Sequence, residues 1–110
     1  MDKILASIKK QLGVNDSVQF DSQIVMVINT AISALTQIGI GPAEGFLLTD
    51  EDANWTDFIG EGPSFISAQS YIYCKSKILF DPPANQTLLN ALQRQADELE
   101  WRLRTEKEDC

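Results

Sequence analysis

The sequence contains no histidine, so it lacks the residue that most often serves as a general base or a zinc ligand. Its two cysteines, Cys74 and Cys110, lie in a predicted helix and at the last position, which is a poor basis for a disulfide framework. We expect two free thiols. Because no base is available to activate Cys74, a packed helix residue is favoured over a nucleophile. The sequence therefore predicts a protein that is not an enzyme.

Basic residues are also scarce, since 9 Lys and Arg against 16 Asp and Glu give a net charge of −7. Tight binding to a DNA duplex requires several cations at phosphates, so this composition disfavours it. The pairs Lys9-Lys10 and Lys75-Lys77 are too short and too separated to form a nucleic-acid track, and we expect them on solvated faces. The acidity can keep the protein soluble, repel DNA from a surface, or meet a basic partner.

Long apolar runs are missing too. None approaches the ~18 residues of a membrane span, and the first residues lack the apolar region of a secretory signal. We expect a cytosolic protein without a membrane segment. Acidic residues cluster at 50–52, Asp57 and Glu61, but their spacing does not match a calcium-binding EF-hand loop. A solvated loop with helix-capping carboxylates is favoured, with no metal and no cofactor.

Apolar residues recur at helical spacing in most of the chain, which predicts an all-α fold. The second helix is apolar almost all round, which indicates a central, buried position, and its β-branched run at 24–28 is too long and too helical in pattern for a strand. We predict one domain over residues 1–104 with a flexible tail at 105–110. The first two main helices are expected over 2–12 and from Asp21 or Ser22 to Gly39. The third is expected from a Ser64 cap to 81, and the fourth from an Asn85 cap to Arg104. The apolar stripe of this last helix consists of Leu88, Leu92, Leu99 and Leu103.

The glycine- and proline-rich segment 39–63 predicts a long loop, and Thr49 to Asp52 resembles a capping box that opens one short helix. That helix holds Trp55 and Phe58, which either fold onto the core or dock on another subunit. Trp101 lies one or two positions off the stripe of the last helix. It therefore either flanks the core, which is favoured in a monomer, or projects toward a partner.

Five segments, taken in order, resemble the small head-tail connector (adaptor, or head-completion) proteins of tailed bacteriophages and prophages. The resemblance covers almost the whole chain, and the order and spacing of the segments carry it because no single motif is specific. The segments are 39–45 (GIGPAEG), 54–60 (NWTDFIG), 71–73 (YIY), 79–83 (LFDPP) and 98–103 (ELEWRL).

The resemblance implies a structural virion protein at the head-tail junction, made in the bacterial host cytoplasm. Such a protein assembles as a homo-oligomeric ring below the portal protein, extends the DNA channel, and meets downstream connector or tail proteins. DNA would pass through the channel without specific binding, and the isolated subunit can remain a monomer. Because a closed ring needs two different patches on each subunit, we expect Trp55 and Phe58 in one and Trp101 and Arg102 in the other.

Two other classes of protein are weighed against the connector. One is a small cytosolic regulatory module that binds a partner through its last helix. It would form a small defined complex with a soluble partner, whereas a connector would join rings with the portal. The other is a carboxylate-based metal enzyme, which tight binding of a divalent metal would support.

Overall fold

The computed structural model describes residues 3–14, 18–42, 45–49, 53–59 and 63–109. Over these residues the fold is all-α, as predicted, with four main helices and one short helix in the central loop. Within the described ranges, the only strand-like pairing is an isolated bridge between Lys3 and Asn54. The helices are α1 (Ile4–Leu12), α2 (Asp21–Gln37), α3 (Trp55–Phe58), α4 (Pro63–Phe80) and α5 (Gln86–Asp109).

The helix ends follow from local backbone chemistry. Gly13 ends α1 in the left-handed conformation, with φ of 81°, and its N–H donates to the Lys10 carbonyl. The predicted Asn85 cap is confirmed, because its Oδ1 accepts hydrogen bonds from the N–H groups of Thr87 and Leu88 at 2.8 and 3.2 Å. Prolines at 82 and 83 follow the end of α4 and prevent its continuation.

Two predicted helix boundaries are wrong. Helix α4 begins at Pro63, so Ser64 lies inside its first turn rather than at its cap. Proline fits this first position because the missing N–H would have no helical partner there. Helix α5 runs past Arg104 to Asp109, and its 24 residues span about 36 Å.

The central helix is α4 and not α2. Helix α4 packs against both α5 and α2, and α1 contacts α2 and α4. Helix α2 buries one face, while Met26 on another face is 69% exposed. The prediction of a fully buried α2 is therefore wrong, because its second apolar side borders a surface groove. The buried face of α2 consists of Ile24, Ile28, Ala31, Ile32 and Leu35.

Helix α5 packs through a face that differs from the predicted stripe at one end. Leu103 is fully buried, whereas Leu88, in the first turn of α5, is 57% exposed. Leu88 lies four residues before Leu92 and therefore on the same side of the helix, but the core cluster begins only at Leu92 along α5. The residues of α5 that face the core are Leu92, Ala96, Leu99 and Leu103.

A shielded ion pair joins α1 to α2. The Nζ atom of Lys9 lies 2.7 Å from Oδ1 of Asp21, and the two side chains are 10% and 33% exposed. The expectation that Lys9 lies on a solvated face is therefore wrong, although Lys10 is exposed. The pair places a cation in the last turn of α1 and a carboxylate in the first turn of α2, where the two helix dipoles favour these charges.

Candidate interaction surface

The central loop is fastened to α2 by the side chain of Asn29. Its Nδ2 donates to the Leu48 carbonyl at 2.9 Å, and its Oδ1 accepts from the Leu48 N–H at 2.7 Å. The amide thus satisfies both backbone groups of Leu48, as a neighbouring β-strand would. The Leu48 side chain is 1% exposed, so this clamp fixes a core residue from an otherwise irregular segment. No motif or spacing in the sequence points to Asn29.

Trp55 and Phe58 fold onto the core of their own chain. They are 1% and 2% exposed, and the structure therefore favours the first of the two alternatives left open by the sequence. The Phe58 ring lies 5.5 Å from that of Phe46, and the Trp55 ring lies 6.4 Å from that of Phe65. Because both side chains are enclosed, their placement argues against a direct role in contacts between subunits.

The short helix α3 is capped by different residues from those predicted. The Asn54 N–H donates to the Asp57 carboxylate at 2.9 Å, which forms a capping box at the residue before Trp55. Thr49 lies in non-helical backbone. Other acids of the predicted loop cluster, namely those at 50–52 and 61, lie outside the described residues. Asp57 thus has a capping role.

A glycine allows the loop to approach α3 closely. Gly41 has φ of +91°, and a Cβ built on it would lie 2.7 Å from Cε1 of Phe58. Both the backbone conformation and the space therefore require glycine at this position. The signal was present in the sequence as a glycine beside a proline, but its partner Phe58 could not be identified from spacing.

Trp101 and Arg102 lie on the surface. Trp101 is 65% exposed, so the predicted preference for a core flank is wrong. At 100° per residue, Trp101 lies almost opposite the packed face of α5, and Arg94, seven residues earlier, lies on the same side. Arg102 lies nearby on the helix and is bound to Glu98, with Nη2 and Oε2 2.7 Å apart.

A surface groove of about 690 Å³ lies beside the start of α2 and the end of α4. Met26 and Leu79 are 69% and 51% exposed there, and the rings of Phe20 and Phe80 meet edge to face at 5.6 Å. The exposed carboxylate of Asp81 borders this apolar surface. The second apolar side of α2, with Met26 and Val27, lines this groove. The sequence pattern predicts this side to be buried in the core, so it does not reveal the groove.

Two buried side chains of α4, Cys74 and Tyr71, have raised pKa values. Burial raises the pKa of the Cys74 thiol, whose residue is 1% exposed, as expected of a packed helix residue. Burial, followed by the charges of Glu100 and Asp97, raises the pKa of Tyr71 to about 12. Among the described residues, no three metal-binding side chains lie close enough to share an ion. None of the described helices has the length and apolarity needed to span a bilayer.

These features define a small helical protein whose conspicuous surface elements are an apolar groove and a projecting tryptophan. The sequence model of the phage connector protein family matches residues 4–109. The chain therefore belongs to the phage connector family, as its resemblance to head-tail connectors predicted, and is a virion component. No match is found among curated proteins or among solved structures.

Proposed function

We propose that this chain is a non-catalytic connector subunit that forms a ring below the portal, extends the DNA channel and joins the capsid to tail components. The observation that carries the proposal is the projecting Trp101 on α5 of a phage connector family member. An indole that is 65% exposed on the outer face of a polar helix buries little surface against its own chain. Tryptophan is also among the residues that most often anchor protein interfaces.

The net charge of −7 supports passage of DNA without binding, since an acidic channel wall repels phosphates. Neutralising several acids that face the channel is then expected to slow DNA ejection. Acids replaced on the outside of the ring provide the matched control. Unchanged ejection kinetics in the channel variants would refute this part of the proposal.

The assembly itself is tested by negative-stain imaging and mass measurement of the purified protein, alone and mixed with the portal protein encoded beside it. We expect a ring, or a layer of subunits that caps the portal. A monomer that persists with the portal present would contradict the proposal. A small complex with a soluble partner helix would favour the regulatory module instead.

A further inference from the structure

We infer that Trp101 of one subunit inserts into the groove beside Met26 and Leu79 of the next copy of the same chain. This inference rests on the proposed ring and specifies its subunit contact. A ring requires two different, complementary patches on each subunit. Within the described surface, Trp101 projects as a largely exposed aromatic residue, and the groove presents the exposed apolar side chains of Met26 and Leu79, against which an indole can be buried.

The positions of these two patches exclude a contact within one chain. The groove includes residues 79–81, at the connection between α4 and α5. Trp101 lies fifteen residues beyond Gln86, or about 23 Å along α5 from its start. A rigid helix cannot bring this indole back to its own groove. The occupant must therefore come from another molecule, and a second copy supplies the required side chain.

The charges around the two patches are also complementary. Copies that each carry −7 repel one another, and a contact that brings a cation of one copy to an acid of the other reduces this repulsion. Arg94 lies on the same side of α5 as Trp101, and among the described residues it has no ion-pair partner. Asp81 at the groove is exposed, and its single described partner is Lys77 at 3.0 Å.

The size of the contact explains why it would act only in an assembly. A tryptophan buries about 150–250 Å², whereas stable interfaces bury about 1,200–2,000 Å² in total. One insertion therefore cannot hold two free subunits together. In a ring on the portal, every subunit makes the contact twice, once through Trp101 and once through its groove, and the portal raises the local concentration.

The contact is tested by photocrosslinking in the layer that the full chain forms on the portal. A benzophenone amino acid replaces Trp101, and half of the subunits carry ¹⁵N so that links between copies are recognised by mass. The expected product joins position 101 to a peptide containing Met26 or Leu79 of another copy. The same amino acid at Ile66, which is 71% exposed on α4, is the control and is expected to miss the groove.

Substitutions at both patches provide the second measurement. Trp101→Ala and Met26→Glu are each expected to lower the yield of the portal-bound layer at least tenfold, while Ile66→Ala leaves it unchanged. Circular dichroism and thermal unfolding confirm that the exposed substitutions preserve the fold. Links from position 101 only to the portal or to another region of the second copy would overturn the inference. So would normal assembly by both variants, whereas a wild-type chain that forms no layer overturns the proposed function itself.

Discussion

The Asn29 clamp provides the most direct test of how the central loop is held. Asn29→Ala removes two hydrogen bonds, at 2.9 and 2.7 Å, and leaves both backbone groups of Leu48 without these protein partners. The clamp is partly buried, so water replaces the lost bonds incompletely. The loop that carries Leu48 into the core should therefore loosen, and the free energy of unfolding should fall.

The expected loss in free energy of unfolding follows from the two hydrogen bonds that Asn29→Ala removes. Each neutral hydrogen bond contributes about 0.5–1.5 kcal/mol net, and a buried group left unpaired costs about 1–3 kcal/mol. Because water can reach this site in part, we expect a loss of about 2–3 kcal/mol. A domain of this size is stable by about 5–15 kcal/mol, so the variant should still fold. The loss corresponds to a fall in Tm of roughly 10–20 °C.

The assay is urea unfolding followed by circular dichroism, with a thermal scan. Thr30→Ala is the matched control, since Thr30 is exposed and bonds only to the Met26 carbonyl one turn earlier in α2. We expect it to stay within about 0.5 kcal/mol of the wild type. Asn29→Asp keeps the acceptor but places a carboxylate oxygen against the Leu48 carbonyl, where the donor was, so at neutral pH it should destabilise at least as much as Asn29→Ala. An Asn29→Ala variant as stable as the Thr30→Ala control would refute the claim that the Asn29 side chain holds the loop on α2.

Three further predictions concern stability. Gly41→Ala should lower the free energy of unfolding more than Gly13→Ala. Both positions have positive φ, but only the methyl group introduced at position 41 would meet Phe58. Equal losses for the two variants in urea unfolding would contradict this. Asn85→Ala should cost about 1 kcal/mol through the lost cap of α5, and an unchanged urea midpoint would count against that cap. Tyr71 has a folded pKa of about 12, above its ordinary 10.0, so the folded state holds this proton longer and stability should fall as pH rises from about 10 to 12. Tyr71→Phe should weaken that fall in alkaline unfolding curves, and an identical pH dependence would refute the assignment.

The helices were predictable because their signals are local. Asn85 begins its helix as the sequence indicated, Gly13 ends α1, and the pairs Glu98–Arg102 and Glu100–Arg104 form within α5 at 2.7 and 2.9 Å. Each of these features depends only on residues within four positions of one another. Propensity and spacing are sufficient for such interactions.

The candidate surface was less predictable because it depends on contacts between distant residues. Trp55 and Trp101 are the same residue type beside acidic neighbours, yet one is 1% and the other 65% exposed. The difference arises because Asn29 fastens the loop before Trp55 across nineteen residues, whereas Trp101 lies on a straight helix packed on its other side. Helical periodicity does not indicate the Asn29 contact. Trp101 is only two residues from Leu99 and Leu103 in sequence, but two residues correspond to about 200° around a helix, so nearness in sequence is not nearness to the stripe.

The construction of α5 explains how an exposed tryptophan can be held in a fixed place. Only one face of this 24-residue helix packs on the core. The cap at Asn85 and the exposed pairs Glu98–Arg102 and Glu100–Arg104 stabilise it locally, each pair by about 0.3–0.5 kcal/mol. These contacts leave the outer face free, so Trp101 is displayed without loss of helical order. Because the backbone of α5 is already ordered, burying this indole against a partner costs little further conformational entropy. A subunit contact of small area requires this property.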